Sequence, residues 1–408
     1  GSDATFENLY CCLLGIITGT NIKFVQQDDF LGASRNLGVT KVVLNTFDYF
    51  NSSAEYDISK VSVICKNLEN TLTNESRSFD VELSTSGSSG LPKIIILSEA
   101  DLIYQASEVS NLLGLNSKSK QLFYMPINYI YGLSIITTWL VSCSRIIIPR
   151  SSLETPTTFF EELILRQITV FSGVPYTYNM MARWGLEKLE GSSLAALTQA
   201  GGRLRLGVKE KIVSTLKGVD FWIMYGQTEF GGRISQYKLG NDHIEETCVG
   251  TLLPGIQIHI DLDEALSQFG EIFLTSPSIC KNIEDIAEPK VIGGCNFYPT
   301  GDIGKFENGL LYITDRNKNF IKIGGARISS AKLERYFNNL GGIQDCFLCL
   351  SNARAEKILI GLHTDEFQSV NAQWELSKKI DEVLGEKSLA AVLDNKPHEV
   401  FLLHGGLP

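Results

Sequence analysis

The chain has 408 residues, 44% of them hydrophobic and 20% charged, with a formal net charge of −10. At roughly 100–200 residues per domain this predicts two to four domains or subdomains around a sizeable core, and it excludes the disordered, collagenous and disulfide-scaffold classes. With 46 acidic against 36 basic side chains there is no basic surplus for a nucleic-acid backbone.

Nothing at the start reads as a charged-then-apolar leader. The most membrane-like stretch, 127–143, is broken by Asn128, Gly132 and several hydroxyls and soon closed by Arg145. It predicts a buried core segment, not a membrane span. The nine cysteines are irregularly spaced, and Cys346-x-x-Cys349 sits in an apolar run that reads as a buried strand. Without a second pair or flanking histidines, that pair reads as small apolar core residues, and the cysteines are expected to be reduced thiols of a cytoplasmic protein.

In chain order, the spacing predicts a helix over 106–115, a strand over 144–149, a helix over 157–166, and a strand into a turn over 168–175. A helix over 209–217 and a strand running into glycine over 219–226 follow. Buried strands alternating with helices predict α/β layers with parallel pairing. From about 247 to 314, short apolar segments separated by Gly, Pro and Asp predict a small antiparallel barrel or meander. Beyond Arg316 a new mixed pattern begins: a helix near 330–338, a strand near 346–350 and a helix near 374–384. The expected domains are 1–316 and 317–408, with a hinge near Lys318.

Three segments carry chemistry. Ser84, Thr85, Ser86, Gly87, Ser88, Ser89, Gly90, Leu91, Pro92 and Lys93 form a hydroxyl- and glycine-rich loop ending in a cation. Such a loop can wrap an oligophosphate with backbone N–H groups and hydroxyls. A Walker A pattern cannot be threaded through it, which disfavours a P-loop ATPase. The second segment, 224–232, brings a strand into Tyr225 and Gly226 and then sets Thr228 beside Glu229. Ligands gather at the carboxyl ends of parallel strands, and a carboxylate near phosphates invites Mg²⁺. The third, Thr300-Gly301-Asp302, holds a carboxylate in a tight turn suited to a vicinal diol, with Arg316 following.

In order and spacing these segments, with 316–327, resemble the adenylate-forming superfamily of acyl-CoA synthetases, peptide-synthetase adenylation domains and luciferases. The resemblance covers the chain from about residue 82 onward. It implies a large N-terminal domain of α/β layers plus a small β-barrel, with the first subdomain shortened, and a small α+β C-terminal lid. It implies that Ser84 to Lys93 holds the ATP β- and γ-phosphates and that Gly201, Gly202 and Arg203 pass the adenine while Tyr225 stacks on it. Thr228 would contact the α-phosphate, Glu229 would bind Mg²⁺, and Asp302 would accept the ribose hydroxyls with Arg316 beside it. Lys318 falls at the hinge, and Gly325 at the glycine that admits a pantetheine thiol.

The gating histidine of many relatives is replaced by Tyr129, and Ile130 stands beside it where amino-acid-activating relatives carry Asp. Tyr129, Ile130, Val174, Phe230 and Gly231 are therefore the expected acyl pocket, for an uncharged or hydrophobic acid in preference to an α-amino acid. The expected reaction is ATP-dependent acyl-adenylate formation, then transfer to coenzyme A or an acyl carrier protein. The sequence ends at Pro408, before the lysine that assists adenylation in relatives could appear. A relative that binds nucleotide or acyl group without turnover is the alternative.

Overall fold

The computed structural model describes residues 79–85, 93–149, 153–240, 244–262 and 268–316, together with backbone strands at 22–23, 320–323, 326–329, 345–350, 358–363 and 398–403. The chain divides into two units. The first holds Gly1–His259, Phe273–Thr300 and Phe306–Tyr312, and the second Ile260–Ile272, Gly301–Lys305 and Ile313–Pro408.

In the first unit, β1 (Ile22–Lys23) runs parallel to β2 (Asp80–Thr85), which turns back as β3 (Lys93–Ser98). Val81, Leu83, Ile95 and Leu97 are buried at every second position, the period of a strand with one face on a core. Ser98 then caps α1 (Glu99–Leu113): its hydroxyl accepts from the Asp101 amide, and the Asp101 carboxylate accepts from the Ser98 amide at 2.8 Å. A capping interaction of this kind is worth about 1 kcal/mol. The helix predicted over 106–115 thus starts a full two turns earlier, at a point set by the cap.

The parallel block follows as β4 (Lys120–Leu122), α2 (Ile130–Ser142), β5 (Arg145–Ile147), α3 (Pro156–Leu165), β6 (Val170–Gly173), α4 (Pro175–Trp184), β7 (Ala196–Gln199), α5 (Leu206–Thr215) and β8 (Asp220–Tyr225). The strands lie in the order β8-β7-β6-β4-β5, all parallel. Alternate residues of β8 feed two cores. Phe221 and Ile223 join α3, α4 and α5, whereas Trp222 and Met224 join β2, β3, α1 and α2. Helices on both faces of a parallel sheet are what its continuous apolar strands require. Phe171 anchors one core, stacked on Tyr124 and edge-on to Phe159, each at 5.5 Å.

Helix α2 is the stretch with membrane-like composition. It is buried from Ile130 through Thr138, and Ser134, Thr137 and Thr138 donate to carbonyls one turn back. Its hydroxyls are satisfied locally, so the helix can lie inside the core at little cost. No helix among the described residues is long and apolar enough to cross a membrane.

The antiparallel pairing expected over 247–314 is present. β9 (Ser235–Lys238) pairs with β8 and with β10 (Cys248–Leu252); β11 (Gln257–Leu262), β12 (Gly270–Thr275), α6 (Ile283–Ile286), β13 (Lys290–Ile292), β14 (Cys295–Glu307) and β15 (Leu310–Arg316) follow. These strands continue the parallel sheet: β10 pairs with β9 through Thr251 and Leu252 and with β15 through Cys248 and Gly250, with a register shift between.

In the second unit, β16 (Phe320–Ile323) and β17 (Ala326–Ser329) form an antiparallel pair. β18 (Asp345–Leu350) is antiparallel to β19 (Ile358–His363), which runs parallel to β20 (His398–Leu403). Cys346 and Cys349 lie on β18, as the apolar run predicts. The helices expected near 330–338 and 374–384, the hinge residue Lys318 and Gly325 lie outside the described residues.

Candidate active site

The hydroxyl-rich segment joins β2 to β3, which pair antiparallel. Ser84 pairs with Ile94 and Thr85 with Lys93, so the ladder fixes both ends of the loop. Ser86, Gly87, Ser88, Ser89 and Gly90 lie outside the described residues. The segment 280–282 straps this hairpin. Asn282 donates to the Ile94 carbonyl at 2.8 Å and accepts from the Ile96 amide at 3.1 Å, while the Lys281 amide donates to Ile96. Lys281 also pairs with Asp80 at 2.6 Å.

The same strap holds the second motif, where the Cys280 amide donates to the Glu229 carbonyl at 2.9 Å. Strand β8 ends at Tyr225, and Thr228–Phe230 forms a single 3-10 turn. The chain returns at once, with Ile234 N–H on the Tyr225 carbonyl and Gly232 N–H on the Gln227 carbonyl. Gly226 is required here: a Cβ would fall on the Gly232 carbonyl oxygen. From α1, buried Gln105 donates to the carbonyls of Phe230 and Arg233 at 3.1 and 3.0 Å. Gln227 reaches Tyr225 Oη and donates to the Thr300 carbonyl at 2.8 Å. Thr228 and Glu229 are thereby presented, half-buried, on a loop bonded on several sides. Burial, with the Glu229 carboxylate adding to it, pushes the neighbouring Cys280 thiol up to about 12, so it stays protonated.

The predicted acyl-pocket residues converge from other loops. Tyr129, at the start of α2, is 40% exposed and is no core tyrosine. Gly201 after β7 has φ +82°, and a Cβ there would stand 2.8 Å from Tyr129 Oη and 3.4 Å from Val174 Cγ1. A Cβ on Gly202 would be 3.3 Å from Pro175 Cγ, and one on Gly232 2.8 Å from Ile130 Cγ1. The loops after β6, β7 and β8 and the start of α2 therefore meet at the carboxyl ends of the parallel strands, where such folds bind ligands. Arg203 is exposed beside them. Phe230 differs from its expected place: it is 1% exposed and packs into the core with α1 and α2, leaving Gly231 against Ser278 and Gln105.

Sequence reasoning missed Arg233. It is 4% exposed, its guanidinium donates to the Gly232 carbonyl at 2.7 Å and Ser134 Oγ at 3.1 Å, and its centre lies 4.5 Å above the Tyr131 ring. No carboxylate pairs with it among the described residues. Burying one unpaired charge costs several kcal/mol, and a desolvated cation–π contact returns about 2 kcal/mol. Arg233 adds a cation beside a wall that Ile130 alone portrays as uncharged. The only sequence signal was an arginine among glycines and apolar residues.

In the second unit Asp302 is 2% exposed, and Arg316 Nε donates to its carboxylate at 3.0 Å. The Arg316 amide donates to Asp315 at 2.7 Å. The carboxylate expected in a tight turn lies instead within strand β14, where it forms an ion pair with its expected helper.

Among the described residues no three His, Cys, Asp or Glu side chains form a metal-holding group. Glu229 is a single carboxylate next to the Thr228 hydroxyl. That donor set fits Mg²⁺, which keeps waters and takes phosphate oxygens with one or two protein ligands.

Residues 81–283 match the family model for AMP-binding enzymes. The chain carries an AMP-binding enzyme domain. It is 27% identical over 314 residues to a 2-succinylbenzoate–CoA ligase of Bacillus cereus, covering 75% of this chain and 61% of that enzyme. It is 25% identical to a putative acyl-coenzyme A synthetase of Emericella nidulans, over 73% of this chain and 54% of the relative. The chain thus spans a little over half the length of the curated relatives it matches. Among solved structures, the O-succinylbenzoate coenzyme A synthetase of Bacillus subtilis in complex with ATP and magnesium has a TM-score of 0.65 at 20% identity, covering 79% of this chain and 66% of that one. Its unliganded form has a TM-score of 0.69 at 17% identity over 98% and 87%. The fold is that of the adenylate-forming enzymes.

Proposed function

We propose that this domain activates a carboxylic acid with ATP and passes the acyl group to a thiol, coenzyme A or a carrier-protein phosphopantetheine. The observation that carries the reading is the convergence, inside the matched domain, of Tyr129, Ile130, Val174 and Gly201 with the Thr228–Glu229 loop at the strand ends.

A carboxylate oxygen of the acid attacks the α-phosphorus of ATP, the α–β bond breaks, and pyrophosphate leaves. The thiol, as thiolate, then attacks the acyl carbon, and AMP departs with the oxygen that came from the acid. The protein supplies position and charge, not a nucleophile. In this reading Ser84, Thr85, Lys93 and the loop between them hold the β- and γ-phosphates. Tyr225 stacks on the adenine beside Gly201, Gly202 and Arg203, and Thr228 donates to the α-phosphate. Asp302 accepts the ribose hydroxyls, steadied by Arg316. Mg²⁺, when bound to Glu229, would neutralise phosphate charge.

Residues 317–408 belong to this proposal as a lid hinged near Lys318, with Gly325 passing the pantetheine arm. The reducing environment of the cytoplasm suits the free thiols Cys143, Cys248, Cys280 and Cys295. That the relatives sharing this domain are named as a CoA ligase and a putative acyl-coenzyme A synthetase supports a thiol acceptor.

Acid-dependent ATP–pyrophosphate exchange tests the proposal, over straight-chain, aromatic, dicarboxylic and amino acids, on the full-length protein with Mg²⁺. The expected result is exchange with some acids and little with α-amino acids. ATP binding without exchange for any acid would leave a nucleotide-binding relative instead.

A further inference from the structure

We propose that Arg233 is a specificity-determining residue that selects an acid carrying a second anionic group, a dicarboxylate being the simplest case. This rests on the acid-activating reading above and names its substrate class.

The charge on Arg233 is permanent, and its side chain is almost wholly buried. Its acceptors are all neutral: the Gly232 carbonyl, the Ser134 hydroxyl and, at 3.3 Å, the Met224 sulfur. Tyr131, beneath the guanidinium, is neutral too. Its hydroxyl is committed to the Thr198 carbonyl and hydroxyl at 2.9 Å, and burial raises it above its usual range. A guanidinium has five N–H groups. Those three bonds leave one N–H on each terminal nitrogen without an acceptor among the described residues, a pair able to serve a carboxylate.

The position ties this cation to the acyl side of the site. Arg233 follows Gly232, whose Cα faces Ile130, and it bonds Ser134, one turn along α2 from Ile130. A helix places residues four apart on one face, so Ile130 and Ser134 share the face that meets the Glu229 loop. A purely structural tie between Gly232 and α2 needs no charge, because a neutral donor would satisfy both acceptors. An anion arriving with the substrate would offset the buried charge that the protein leaves unpaired. A monocarboxylate cannot supply it, since its one carboxylate must reach the α-phosphorus.

The test compares matched pairs in the exchange assay: butanoate and succinate, hexanoate and adipate, octanoate and suberate, benzoate and isophthalate. The kcat/KM ratio of diacid to monoacid is measured for wild type and for Arg233→Met. We expect the wild type to favour at least one diacid tenfold or more, and the substitution to lower that ratio at least tenfold. If the variant does not fold, Arg233→Lys and the wild-type Tm decide, the preferred diacid raising Tm more than its monoacid at equal concentration. Wild-type exchange with monoacids and no favoured diacid would overturn the subsite while leaving the activity standing, as would a ratio unmoved by substitution. Exchange with no acid at all would overturn the activity and the subsite together.

Discussion

The Cys280 amide and the Glu229 carbonyl share a 2.9 Å hydrogen bond, and two residues later Asn282 bonds both sides of Ile94–Ile96 on β3. One short segment therefore fastens the base of the β2–β3 hairpin to the loop that presents Glu229. The two are far apart in sequence, so neither motif by itself sets its distance from the other. Asn282→Ala removes the two side-chain bonds and is expected to cost about 1–3 kcal/mol. It should also raise KM for ATP more than KM for the acid. Denaturant unfolding and steady-state exchange measure both; an equal rise in the two KM values would contradict the strap as a positioning device.

Glu229→Gln keeps the shape of the turn and removes the charge. Exchange at saturating ATP should fall on the order of 100-fold, as when a group stabilising transition-state charge is lost, and the Mg²⁺ concentration for half-maximal rate should rise. A Mg²⁺ titration of both proteins is the check. An unchanged Mg²⁺ dependence would move the metal elsewhere.

Asp302→Ala removes a buried carboxylate that already bonds Arg316. If that carboxylate also accepts the ribose hydroxyls, ATP binding should weaken roughly 10- to 100-fold, the worth of hydrogen bonds to a charged group. Calorimetric titration with ATP and with a 2′,3′-dideoxy analogue reads this directly. Wild type should discriminate the two and the variant should not.

Lys209 supplies a pH signature. It is 2% exposed, donates to the Glu246 carbonyl at 3.0 Å, and burial lowers it from 10.5 to about 8. Between those values the unfolded chain binds the proton and the folded chain does not, so this group makes stability rise with pH. The stability difference between wild type and Lys209→Met should shift in favour of wild type by on the order of 3 kcal/mol from pH 7.5 to 10.5. A difference that stays flat over that range would contradict the burial argument.

Much of the fold was legible because its signals are local and periodic. The apolar runs at 170–173 and 220–225 and the glycine that follows β8 announce buried strands feeding a site, and the pattern over 157–166 announces a helix. The helix Pro175–Trp184 was not legible, since 168–175 reads only as a strand into a turn. The start of α1 was not legible from apolar spacing, because a Ser98–Asp101 capping box sets it. The chemistry of the second motif was legible as Thr228 beside Glu229. Its supports were not: Gln105 and Asn282 act across more than a hundred residues. Phe230, which the resemblance implied as a pocket residue, ends the 3-10 turn with its side chain in the core. Arg233 was missed because an arginine in sequence carries no mark of whether its counter-charge exists.

The central claim is that the acid attacks the α-phosphorus of ATP. It is tested most directly by supplying the acid labelled with ¹⁸O in its carboxylate, with ATP and coenzyme A, and weighing the nucleotide product by mass spectrometry. The account predicts AMP carrying one ¹⁸O and pyrophosphate carrying none. AMP formed without the label, or ADP with ¹⁸O in inorganic phosphate, would contradict it.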